Sequence, residues 1–265
     1  NYYHDAYTLS LVWLPFFNPN TIPLAPVAGI HITEDKRDAG SLRDQGFAVR
    51  LDQTGDLFDW SISYYNGLDV NPAGVPVSSS TVELTHTRIR VLGADCSKAL
   101  GPYALRGEIA YVQTANSSGE NPFIKKPYVW MVFGGDRSLT EDLNVNLQVY
   151  QRVILNYRNP FEIQDPATQQ LSVLNATLNQ QLDQSQVGIS GRIKATWFNK
   201  TLDAELMGLW NANRGDCFVR PSLAYAFTDV WKGFMGYDFF NGQRNSYFGR
   251  LESASAFFVE LRATF

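Results

Sequence analysis

The feature that most constrains this chain is a two-residue rhythm, clearest in its last stretch, Ser255 to Phe265. Read backwards, Phe265, Ala263, Leu261, Val259 and Phe257 form one apolar row. Thr264, Arg262, Glu260, Phe258 and Ala256 form the other row, which carries both charges. Side chains alternate between faces along a β-strand, so this pattern predicts a long strand with one greasy face and one polar face. The same rhythm recurs upstream. Tyr7, Leu9, Leu11 and Trp13 alternate with Thr8, Ser10, Val12 and Leu14. Phe47, Val49 and Leu51 alternate with Ala48, Arg50 and Asp52, and Leu143, Val145, Leu147 and Val149 with Asn144, Asn146, Gln148 and Tyr150.

Carried through the chain, the pattern predicts twelve strands. They lie near residues 7–14, 45–53, 59–65, 85–94, 103–113, 128–136, 143–150, 184–197, 202–210, 219–227, 231–240 and 255–265. Tight turns are expected at Thr54-Gly55-Asp56, around Cys96, at 137–142, at Phe198-Asn199-Lys200-Thr201 and at Thr228-Asp229. Longer polar, Pro- or Gly-rich connections are expected at 15–44, 66–80, 114–126, 155–183, 211–216 and 241–254. Long and short connections therefore alternate. Within 155–183, Leu171, Leu174, Leu178 and Leu182 recur at three- and four-residue spacing, which predicts a short amphipathic helix.

A soluble protein should not expose a whole apolar row on every strand. A membrane-spanning strand needs about 9–11 residues and alternates lipid-facing with lumen-facing side chains. No run of about 18 apolar residues occurs, so a transmembrane helix is not expected. The outward aromatics fall in two groups. Tyr7, Trp60, Tyr103, Trp197, Trp231 and Phe265 sit near the short turns; Trp13, Phe47, Tyr64, Tyr111, Trp210, Phe239 and Phe257 sit near the long loops. Two belts of amphipathic rings suit two membrane interfaces. The fold class expected is all-β, a transmembrane antiparallel up-and-down β-barrel spanning residues 1–265 as a single domain, with room for it to be part of a larger barrel.

The terminal Phe265 after alternating hydrophobics resembles the C-terminal signature of Gram-negative outer-membrane β-barrels. The resemblance is sharp over these eleven residues and architectural elsewhere. It implies a chain read by the barrel-assembly machinery through its last strand, seated in outer-membrane lipid, with short turns in the periplasm. It also implies a signal peptide; the chain opens Asn1-Tyr2-Tyr3-His4, so a leader was removed or the numbering begins inside a longer chain. On this topology Cys96 lies in a periplasmic turn and Cys217 at an outer loop, about 25–30 Å apart, which rules out a disulfide between them.

The inward row then carries Arg50, His86, Arg88, Arg90, Arg106, Arg152, Arg192, Lys194, Arg220, Lys232 and Arg262 against Asp52, Glu108, Asp203, Glu205, Asp238 and Glu260. Basic rings in a wet pore favour anions. The candidate pore-lining set is Arg50, Arg88, Arg90, Arg106, Glu108, Arg192, Lys194, Asp203 and Glu205, and the expected function is a porin-like channel for small polar or anionic solutes. Equally consistent with the sequence, these charges pair across neighbouring strands and keep the lumen hydrated or plugged. A further alternative is a sheath holding a partner protein such as an electron-transfer cytochrome, whose haem would be its own, since this chain has no CxxCH. A homo-oligomer is compatible with any of these.

Other classes fare worse. A net charge of −4 argues against nucleic acid. Three histidines and two cysteines are scattered without metal-ligand spacing, and no cofactor is expected. Twelve-stranded outer-membrane phospholipases place His and Ser two apart on one strand; His86-Thr87-Arg88 lacks the Ser. No nucleophile–base set can be assembled, so an enzyme is not expected. Asn116-Ser117-Ser118, Asn175-Ala176-Thr177 and Asn199-Lys200-Thr201 match the glycosylation acceptor by chance in such a membrane. The 155–183 segment either folds inward to narrow a pore, caps it outside or meets a partner.

Overall fold

The computed structural model describes residues 2–4, 6–20, 31–35, 41–78 and 80–264. Its strands are β1 (Tyr2–His4), β2 (Tyr7–Leu14), β3 (His31–Glu34), β4 (Gly46–Gln53), β5 (Asp59–Leu68), β6 (Ala73–Ser78), β7 (Thr81–Thr85) and β8 (Arg88–Leu100). They continue as β9 (Tyr103–Gln113), β10 (Tyr128–Ser138), β11 (Leu143–Ile154), β12 (Ser185–Trp197), β13 (Leu202–Asn211), β14 (Asp216–Ala226), β15 (Trp231–Asn241) and β16 (Ala256–Ala263). One helix, α1 (Pro166–Leu178), lies between β11 and β12, and short 3-10 turns occupy Pro160–Glu162 and Gly249–Ala254.

Thirteen strands form one sheet in the order β1-β2-β4-β5-β8-β9-β10-β11-β12-β13-β14-β15-β16. Setting aside the three-residue β1, these are the twelve strands that the alternation predicts, each beside its predecessor in the chain. No helix among the described residues is long and apolar enough to cross a membrane. The residues cluster into two compact units: Asn1–Cys96, Glu108–Trp130 and Arg152–Ser185 in one, Ser97–Gly107, Met131–Gln151 and Gln186–Phe265 in the other. Phe265 itself, the aromatic that carries the terminal signature, lies outside the described residues, as do residues 21–30 and 36–40 of the 15–44 connection.

In the second unit the printed register fixes which side chains share a face. Ile193 pairs with Leu206, Leu206 with Pro221, and Ala195 with Ala204 and onward to Leu223, Met235 and Val259. Trp197, Leu202 and Tyr225 form the neighbouring row. No charged residue falls on this face of β12–β16. Arg192, Lys194, Asp203, Glu205, Arg220, Lys232, Asp238, Glu260 and Arg262 all fall on the other. In the first unit, Leu11–Val49–Tyr64 and Leu9–Leu51–Ile62 form the apolar rows, against Ser10–Arg50–Ser63 and Thr8–Asp52–Ser61.

Exposure runs opposite to that of a water-soluble sheet. Leu206, Leu223 and Met235, on inner strands of the second unit, are 47%, 45% and 46% exposed, while Ser61 on the polar face of the first is 2% exposed. The aromatic groups stand at opposite ends of the strands. Tyr7 meets Trp60 edge-on at 6.5 Å, and Phe47 meets Tyr64 at 5.8 Å beside Trp13.

Three expectations change. Cys96 is inside β8, because that strand runs to Leu100; its turn is Gly101-Pro102, where Gly101 takes φ 58°, a conformation that costs glycine little. Both cysteines are free. The long–short alternation breaks once, because β13 and β14 are joined by residues 212–215 alone. Finally, 15–44 and 66–80 are not structureless. They supply β3 and β6, which with β7 form a three-stranded sheet of order β3-β7-β6; β3 pairs parallel to β7, and β6 antiparallel. The fourth predicted strand, 85–94, therefore straddles two sheets, with the break at His86-Thr87.

Candidate functional site

The polar face is the candidate site, and its charges are mostly matched. In the first unit Arg50 Nε donates to Asp52 Oδ1 at 2.6 Å, and its Nη2 lies 3.3 Å from Asp95 Oδ2. Asp95 also accepts from the Ser61 hydroxyl, and Glu108 adds further negative charge near Arg50. In the second unit Lys232 Nζ donates to Asp203 Oδ2 at 2.9 Å, with Lys194 Nζ 3.9 Å from the same oxygen. Glu205 stands directly opposite Lys194 and Met207 opposite Arg192 in the register. Arg220 forms a bidentate pair with Asp238, and Arg262 Nη2 donates to Glu260 Oε1 at 2.8 Å. Arg106 and Arg192 are exposed.

Arg88 and Arg90 are not on this face. A Cβ on Gly93 would lie 2.8 Å from Ser63 Oγ, and Asp95 bonds Ser61, so the odd residues of β8 share the polar side of β5. The even residues, Arg88, Arg90 and the exposed Leu92, share the side of Ile62 and Tyr64. Arg88 confirms this by donating from Nη1 to Asn66 Oδ1 at 2.8 Å and from Nη2 to the Gln45 carbonyl at 3.1 Å and the Arg43 carbonyl. It ties down the loop before β4. Alternation alone assigns the opposite phase because Ile89 and Val91 are apolar yet turn to the polar side, where they are half-buried. Moving Arg88 and Arg90 out, and Asp95 in, removes most of the cation excess expected along the inward row. His86 is not in a strand; it is buried, with Nδ1 2.7 Å from the Asp69 carbonyl and its ring edge-on to Phe17 at 4.9 Å.

The 155–183 segment folds as predicted into a helix, but its buried face is polar. Asp165 caps α1 by accepting from the Thr168 N–H at 2.8 Å, and Pro166 occupies the first turn, where its missing N–H costs nothing. The hydrogen bonds from Thr168 hold the Asp165 carboxyl below its ordinary range. Ser172, Asn175 and Thr177 are the buried residues of the helix, whereas Leu171, Leu174 and Leu178 are half-exposed. Asn175 pairs twice with Gly74 of β6, accepting its N–H and donating to its C=O, both at 2.8 Å. Gln181 does the same to the Lys126 backbone, at 2.9 and 2.8 Å. Ser172 donates to the Pro122 carbonyl at 3.0 Å.

The end of the insertion is fixed by Arg152, which lies on the same side of β11 as Asn146, Gln148 and Tyr150 by alternation. Its Nη1 donates to the Asn179 and Gln180 carbonyls at 2.9 and 3.1 Å, a cation at a helix C-terminus where the dipole favours it. Its guanidinium also lies 4.2 Å from the Trp130 ring centre and 4.9 Å from that of Tyr128. The insertion is thus bound to the polar side of the sheet, a feature that leucine spacing does not reveal. Beside it, burial pushes the Lys126 ammonium below the usual lysine range, and the charge of Arg158 adds to the effect.

No family model matches the chain, and no curated protein does. Among solved structures it is similar to a KdgM porin, at 10% identity and a TM-score of 0.35 over 84% of this chain and 93% of that one. A second similar structure is a KdgM porin in complex with disordered oligogalacturonate, at 11% identity and the same TM-score over 84% and 94%. Superpositions this loose leave the reading to rest on the chain's own strands.

Proposed function

We propose that the sheet closes into a cylinder in the outer membrane of a Gram-negative cell and passes small polar solutes down its polar face. The observation that carries this is the register of β12–β16, which leaves one face without a charge and lined by exposed Leu206, Leu223, Met235 and Val259, and puts every charge on the other. Leaving that face half in water would cost on the order of 10–20 kcal/mol at 1.5–3 kcal/mol per large side chain. That is as much as the whole net stability of an ordinary domain. Lipid removes the cost.

The matched charges support weak ion selectivity in place of a marked anion preference. The insertion held by Arg152 narrows the passage on this reading. Planar-bilayer recording of the purified protein tests it: stepwise conductance with a permeability ratio of K+ to Cl− within about threefold is expected. Absence of any step would overturn it.

A further inference from the structure

The polar face of β14–β16 is not uniformly polar. Phe218 is registered opposite Phe240, Gly236 opposite Phe258, and Phe234 opposite Glu260, all on the side that carries the charges. Phe218 and Phe240 stack at 5.0 Å, and Phe248, whose N–H is held by Asp216 at 2.8 Å, lies 6.1 Å from each. Two residues further along, the Arg220 guanidinium sits 5.4 Å from the Phe218 ring centre and 5.5 Å from that of Phe258. Phe258 fills the space that a side chain on Gly236 would take. Beyond it, Arg262 and Lys232 stand over Phe234 at 4.8 and 5.5 Å. The series runs from Phe240 to Lys232 along β15, about 25–30 Å at 3.2–3.4 Å per residue.

A contiguous series of rings on the wet side of a channel wall offers apolar surface to a passing solute. The cations between them do not make the strip an ion path, because Arg220, Lys232 and Arg262 are each paired with a carboxylate, Asp238, Asp203 and Glu260. What remains is a neutral strip of apolar ring faces flanked by fixed donors and acceptors. That pattern suits a molecule with apolar faces and a hydroxylated rim.

We infer that Phe218, Phe240, Phe258 and Phe234, with the Arg220–Asp238 pair, form a binding track for neutral linear oligosaccharides. Pyranose C–H faces lie on the rings, and the hydroxyl edges bond the guanidinium and carboxylate. The track rests on the channel reading, since it lies on the face proposed as the lumen.

Maltohexaose added to one side of a bilayer holding the full-length protein is expected to interrupt the current reversibly and to saturate. The half-blocking concentration should rise roughly tenfold in Phe258→Ala and in Phe240→Ala, the scale of one lost aromatic contact. Phe258→Leu, which keeps the bulk over Gly236 and loses the ring, should behave like Phe258→Ala, so a packing defect is separated from a lost contact. Calorimetric titration of maltohexaose into the detergent-solubilised protein reads the same contact without requiring conduction. Saccharide binding that weakens in the variants, in a protein that carries no current, would sink the channel and keep the track. Conduction with no saccharide block, or block unchanged in the phenylalanine variants, would overturn the track and keep the channel.

Discussion

At the scale of single residues, Arg152 has the most consequential contacts. Replacing it with Ala removes two charge-assisted hydrogen bonds and two ring contacts, about 1.5–3 kcal/mol of local stability. The expected outcome is faster amide exchange over residues 166–182 and a larger unitary conductance; unchanged exchange would show that Asn175 and Gln181 suffice. Lys126 gives a pH prediction. Its folded pKa lies below its unfolded one, so between the two the unfolded chain binds more protons, and stability of the 114–127 segment rises with pH. Lys126→Met should make the segment more resistant to protease at neutral pH and flatten that rise. Neither role was legible in the sequence. An arginine in an alternating strand reads as one more wall charge, and only the fold brings the carbonyls of Asn179 and Gln180 to it.

At the scale of elements, one pairing in the second unit exposes the tolerances of the wall. A Cβ on Gly188 of β12 would overlap the Tyr150 hydroxyl, which donates to Asn211 of β13. Gly188→Ala should therefore displace the ring and cost about 1–3 kcal/mol, read as a lower urea midpoint of refolded protein. In a Tyr150→Ala background the same substitution should cost less, because the obstacle is then gone. The strands themselves were legible, since hydrophobic period fixes a strand wherever one face is apolar. The phase of β8 was not, because Ile89 and Val91 share the side of Gly93 and Asp95 while Arg88 finds carbonyl partners on the opposite side. The small sheet of β3, β6 and β7 was hidden for another reason. Its strands are four to six residues long and interrupted by Pro76, too short for alternation to register.

At the scale of the whole molecule, the membrane reading predicts an asymmetry between faces. Leu223→Arg puts a charge on the apolar side and should cost about 2–4 kcal/mol when the protein is refolded into vesicles. Ser222→Arg, one residue away on the polar side, should cost little. Equal costs would mean that the two faces meet the same medium. Matched charges on the polar side bear on the same scale: raising salt should change conductance in proportion to bulk conductivity, with little shift in reversal potential.

The order of the large sheet also bears on how the protein assembles. Each of its strands lies beside its chain neighbour, with only β3, β6 and β7 set apart. Hairpins can therefore form one after another between chain neighbours, several of them across turns of four or five residues, which keeps the entropic barrier low for an all-β protein. The parallel contact of residues 31–34 with 81–84 is different. Its two halves lie about 50 residues apart in the chain, the largest loop the small sheet has to close, so β3 should join after the β6–β7 hairpin has formed.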